Sequence, residues 1–172
     1  METNITITTL HNLLNYDSSN FISAETHLKN ALSGWKNQTG SLKLKIVLQR
    51  YQDFIDQHIK AIERFAVEEK INSMGVNNQI MEAFIRETNQ KISYCSEAEV
   101  KDACLLESVQ AINHFKISSY GTASAFARAL DMKKAEVLFR EMEINEKHID
   151  DRLSQLAEYE INIRARSPIF LQ

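Results

Sequence analysis

Turn-forming residues are scarce in this chain: four glycines and one proline, Pro168, in 172 residues. Both residue types punctuate turns and interrupt helices, so their scarcity implies long elements with few connections. Cysteine is also rare. Cys95 and Cys104 lie at a spacing that fits neither a zinc motif nor a disulfide framework, and no flanking cation is set to depress a thiol pKa, so an activated redox nucleophile is not expected. No apolar run approaches the roughly 18 residues of a membrane span, and the first residues lack the basic and apolar regions of a signal peptide. Twenty basic side chains against 23 acidic ones give a net charge of -3, which offers no pull toward nucleic acid. No P-loop, Gly-rich or nucleophile–His–acid pattern occurs. A cytoplasmic protein with no nucleic-acid and no membrane partner is expected.

What the chain does contain is helical periodicity. Apolar residues recur at three- and four-residue steps over Leu10, Leu14, Phe21, Ala24, Leu28 and Leu32, which places them on one helical face from about Thr8 to Ser33. Gly34 is the expected C-terminal cap, with a loop over Trp35–Gly40. A second helix is expected from Ser41 to Glu69, with Leu44, Leu48, Tyr51, Ile55, His58 and Ile62 inward, and a turn over Lys70–Asn77 containing Gly75. A shorter helix follows to Ser93, with Ile80, Met81, Phe84 and Ile92 inward. Ser96 and Glu99 have the spacing of a capping box, opening a helix to about Leu130 with Val100, Leu106, Val109, Asn113, Lys116 and Tyr120 on its stripe. Asp131 is the expected N-cap of a last helix reaching about Ile163. Gly121, in mid-helix, implies close approach by a neighbouring helix. His58 reads better as a satisfied core histidine than as a ligand.

Short connections force sequential helices antiparallel. The fold class is therefore all-α: an antiparallel four-helix bundle with one additional short helix in the crossover. Residues 1–165 are expected to form one domain, followed by a tail over 166–172 that ends in apolar Ile169, Phe170 and Leu171.

Two segments, EVKDACLLESVQAINHFKISSYGTASAFARAL from Glu99 and MKKAEVLFREMEINEKHIDDRLSQLA from Met132, resemble the YciF/YciE-type ferritin-like family of bacterial stress-associated proteins. The SYGT run at Ser119–Thr122 and the EK-x-x-D spacing at Glu146–Asp150 are its most specific pieces, and ISAETHLKNAL at Ile22–Leu32 is similar to the family's first helix. LHNLLNYDSSNF and LQRYQDFIDQHIKAIERF look equally like related short ferritin-like bundles. The resemblance implies a ferritin-like bundle, a homodimer and a two-metal carboxylate site in the core.

Against that implied site, none of the five histidines has an acid three residues before it, so no Glu-x-x-His pair exists. Where the resemblance implies a Glu-His-aromatic-Glu run, this chain has Asn113-His114-Phe115-Lys116. The remaining family positions carry Glu25, Asp56, Glu146 and Asp150. Three readings of Lys116 compete. It is a buried cation replacing metal charge beside these acids, a solvated surface lysine, or part of an altered metal site. The first implies a non-enzymatic protein with no cofactor and a polar cluster of Glu25, Asp56, Asn113, Lys116, Glu146 and Asp150. The last implies a di-iron or di-manganese oxidase or iron-handling protein liganded by Glu25, Asp56, Glu146 and Asp150. A helix-mediated interaction module is a third class, and any small-molecule ligand is unspecified.

Overall fold

The computed structural model describes residues 6–71 and 76–167. The segment 72–75, with Gly75, and the residues from Pro168 onward, with the apolar end of the expected tail, lie outside the described residues. Among the described residues every regular element is helical: α1 (Leu10–Gln38), α2 (Leu42–Glu68), α3 (Gln79–Tyr94), α4 (Ala98–Ala129) and α5 (Lys133–Leu156). A π-helical turn at Ala157–Ile161 and a last helix α6 (Asn162–Arg166) extend α5.

The links α1–α2 and α4–α5 are each only three residues, Thr39–Ser41 and Leu130–Met132, so each pair folds back as an antiparallel hairpin. α1 packs on α2 and α4, and α5 packs on α2 and α4. This closes a ring of four helices in the order α1, α2, α5, α4. The shorter α3 carries the crossover outside the ring and lies against α1 and α4. The architecture is the antiparallel four-helix bundle with a crossover helix expected from the periodicity and the short connections.

Several helix ends differ from expectation for reasons that burial explains. α1 does not stop at Gly34. It runs on to Gln38 because Trp35 is fully buried, with its indole N–H donating to Asn89 on α3 at 2.8 Å. The capping box at Ser96 and Glu99 is not formed: Glu97 holds the cap position without a side-chain hydrogen bond, and the Ser96 hydroxyl donates to Glu97 instead. Asp131 ends α4 rather than capping α5. Its φ is 57°, a left-handed conformation that Asp tolerates, its N–H donates back to Arg128, and Met132 is the cap. Ile80 and Val100, expected inward, sit in the first turns of α3 and α4 and are exposed. The last helix passes Ile163, as expected, to Arg166, but it carries a π turn at Ala157–Ile161 because Leu156 and Ile161, five residues apart, both face the core. An i to i+5 step brings them into phase.

The interior is two apolar layers. One holds Leu28, Leu32, Leu48, Ile55, Leu105, Val109, Ile112 and Leu153. The other holds Leu14, Phe21, Ile62, Ala123, Phe139 and Met142. Between these layers, each of the four bundle helices turns at least one buried polar side chain inward.

Candidate functional site in the bundle interior

Between the two layers each long helix contributes at least one buried polar side chain. α1 supplies Glu25 between Phe21 and Leu28, and α2 supplies His58 between Ile55 and Ile62. α4 supplies Asn113 and Lys116, and α5 supplies Glu146. All five are at most 2% exposed. Their positions repeat the spacing of the apolar stripe, so helical phase alone turns them inward.

Lys116 Nζ lies 2.9 Å from Glu25 Oε2 and 2.6 Å from Glu146 Oε1, bridging α4 to α1 and α5. The same ammonium stands 4.6 Å from the centre of the Tyr51 ring and 5.9 Å from that of Tyr120. Cation–π attraction in a desolvated site adds to the ion pairs. Each carboxylate has further donors. Tyr120 Oη and His58 Nδ1 donate to Glu25 Oε1, the latter at 3.1 Å. Tyr51 Oη donates to Glu146 Oε2 at 2.6 Å, and Asn113 Nδ2 donates to the same oxygen at 2.7 Å. Asn145 Nδ2 approaches His58 Nε2 at 3.3 Å. With that nitrogen accepting, Nδ1 carries the proton that reaches Glu25.

Burial and partners set the charges. Burial pushes the Glu25 carboxyl up, but the Lys116 ammonium, His58 and Tyr120 outweigh it and hold the group down to about 2. Glu146 ends on the other side: burial raises it, Lys116 lowers it, and the repulsion of Glu25 leaves it above the usual carboxylate range. For Lys116, burial disfavours the charged form, but attraction to Glu146 and Glu25 raises its pKa on balance. Burial, reinforced by the nearby carboxylates, pushes the Tyr51 and Tyr120 phenols well up, so both remain protonated donors. The site is a desolvated cation clamped between two acids.

Of the residues anticipated for this cluster, the fold brings Glu25, Asn113, Lys116 and Glu146 together. Two it does not. Asp56 faces outward on α2 and pairs with Lys29 at 2.5 Å, with its side chain 42% exposed. It stands two residues from His58, about 200° around the helix at 3.6 residues per turn, so both cannot face inward. Asp150 lies at the bundle margin, where His114 Nε2 at 2.8 Å and Gln110 Nε2 at 2.8 Å engage its Oδ1. Tyr51, Tyr120 and His58 are the members that a search for acids passes over. Their signal was present: polar tips on an apolar stripe require buried partners.

Gly121 admits α5 closely, as its mid-helix position suggested. A Cβ there would lie 3.3 Å from the Glu143 carboxyl carbon. Elsewhere Asp102 clamps the α1–α2 link to α4, accepting from the Thr39 hydroxyl and from the N–H groups of Gly40 and Ser41 at 3.0 and 2.9 Å.

Comparison with known proteins adds a family. The family described as Domain of unknown function (DUF892) matches residues 9–166. Protein YciF of Escherichia coli is 32% identical over 152 residues, spanning 87% of this chain and 90% of that protein. The crystal structure of the E. coli stress protein YciF superposes with a TM-score of 0.83 at 27% identity, covering 95% of this chain and 100% of the other. A putative structural protein from Rhodopseudomonas palustris, YcfI, superposes equally well at 0.83 and 21% identity, covering 90% and 97%.

Proposed function

Because this chain belongs to the DUF892 family, we propose that it serves as a stress-associated structural bundle rather than an enzyme, with Lys116 standing where a metal centre would otherwise hold the core acids together. One solved relative is described as a stress protein and another as a putative structural protein. The observation that carries the reading is the seat of Lys116 itself, 2.9 and 2.6 Å from two carboxylates that are fully buried.

The donor set argues the same way. A two-metal carboxylate centre takes several anionic oxygens together with imidazoles from facing helices. Here the cluster offers two acids, Glu25 and Glu146, and one imidazole, His58. Asn113 contributes no anion. The Lys116 ammonium has no lone pair to donate and repels a cation at the point where its own charge sits. These residues do not fit a two-metal centre.

A second reading, an iron- or manganese-handling protein with altered ligands, stands on one arrangement. Glu25, His58 and Glu146 each place a ligand atom within 4.8 Å of the others, and the nearby Asn113 Oδ1 is buried without a hydrogen bond. That set would serve a single cation only with Lys116 displaced.

Elemental analysis of protein purified without chelator, followed by anaerobic titration with Fe(II), separates the two. Protein that holds no stoichiometric metal agrees with the structural reading. About one metal per chain favours the altered-ligand reading, and about two, the number in a full carboxylate centre, would overturn the argument from the donor set.

A further inference from the structure

The two cysteines stand apart from the interior cluster, at the junction of α3 and α4. Only Cys95, Ser96 and Glu97 separate these helices, and α3 packs along α4. Lys91 Nζ on α3 meets Glu107 Oε1 on α4 at 2.6 Å and marks their relative register. Four residues onward from Lys91 is Cys95, and three residues back from Glu107 is Cys104. Between antiparallel helices those steps are equivalent, each about one turn, so both thiols arrive at the same level. They share one apolar cluster, and both are free thiols. Cys104 is buried, while Cys95, at the C-cap of α3, is partly open and its Sγ donates to Lys91 O at 3.4 Å.

We propose that Cys95 and Cys104 are a reversible thiol–disulfide pair that pins the end of α3 to α4 when low-molecular-weight disulfides accumulate. The exchange balances without any further reactant. The Cys95 thiol loses its proton and attacks one sulfur of the small disulfide; a protein–small-thiol S–S bond forms, the original S–S bond breaks, and one small thiolate leaves. The Cys104 thiolate then attacks Cys95 Sγ, forming the internal S–S bond and expelling the second small thiolate. The two protein sulfurs are oxidised by two electrons, the small disulfide is reduced to two thiols, and the two protons released by the cysteines go to those thiols.

The asymmetry in burial assigns the order. The more open Cys95 is the entry point, and Cys104 resolves. Burial and the adjacent Cys95 push the Cys104 thiol up, with Lys91 pulling the other way. Cys104 is thus not an activated nucleophile of the peroxidase kind. What favours closure is proximity, which makes the second exchange intramolecular.

The test uses the full chain incubated with glutathione disulfide under native conditions. The expected result is loss of both maleimide-reactive thiols, an intact mass lower by two hydrogens, no retained glutathione, and full reversal by dithiothreitol. The C104A variant should instead keep glutathione on Cys95. A wild-type protein that retains a stable glutathione adduct with Cys104 still free would overturn the proposal. So would one in which neither thiol reacts, or one in which the only product is a disulfide between two chains.

Discussion

Replacing Lys116 by methionine removes one charge from the bundle interior while keeping most of the side chain's length, so packing loss is small. It leaves Glu25 and Glu146 facing each other at 0% exposure without the ammonium that bridges them at 2.9 and 2.6 Å. Breaking a buried ion pair from one side typically destabilises by about 3–5 kcal/mol, because the orphaned charge stays desolvated. For a chain of this size each 1 kcal/mol lowers Tm by roughly 2–4 °C, so Lys116→Met should melt on the order of 6–20 °C below the parent. Thermal and urea unfolding at neutral pH read this directly. The deficit should shrink as pH falls, because protonating the two acids removes the uncompensated charge. A control sharpens the argument: Lys116→Met combined with Glu25→Gln and Glu146→Gln removes all three charges and should recover much of the loss, since neutral groups of similar shape often replace a buried ion cluster without penalty. A deficit for the single variant below about 0.5 kcal/mol, the scale of a surface pair, would refute the interior placement of Lys116.

Acid titration should reveal Glu25. Its folded carboxyl is held at about 2 against an ordinary 4.5, so its contribution is fully present above 4.5 and is lost as pH falls toward 2. The size is on the order of 3 kcal/mol. Glu146, whose carboxyl is raised, acts in the opposite sense: its contribution is present at low pH and is lost as pH rises through its folded value. Urea midpoints measured across the acid range should therefore slope less in Glu25→Gln than in the parent, and equal slopes would contradict the assignment. Asp102→Ala should cost about 2–4 kcal/mol, since three donors of the α1–α2 link lose one ionised acceptor. Hydrogen exchange at Gly40 and Ser41 should rise in the same variant, and unchanged protection would place the clamp elsewhere.

The sequence by itself determined the helices and much of what they bury. A 3.6-residue periodicity is local, and glycine and proline were too few to break it, so the existence of four long helices and a shorter one, and the inward placing of Leu14, Leu28, Leu48, Ile55 and Val109, followed from the chain alone. So did the candidacy of Glu25, Asn113, Lys116 and Glu146, which rested on resemblance to a ferritin-like family.

Other features needed the folded molecule. Where α1 ends depended on Trp35 finding a pocket against α3, and Asp131 became a left-handed helix terminus through the sharp α4–α5 link. Asp56 and His58 were two residues apart in a string, but 100° per residue puts them on different faces, and only the packed bundle fixed which one met Glu25. Tyr51 and Tyr120 joined the cluster for the same reason: each donates to a carboxylate 95 residues away. The register of α3 on α4 likewise brought Cys95 to Cys104. Periodicity reports which side of a helix is apolar. Which side chains meet across helices is set by rotation and register between them, and those exist only once the core has closed.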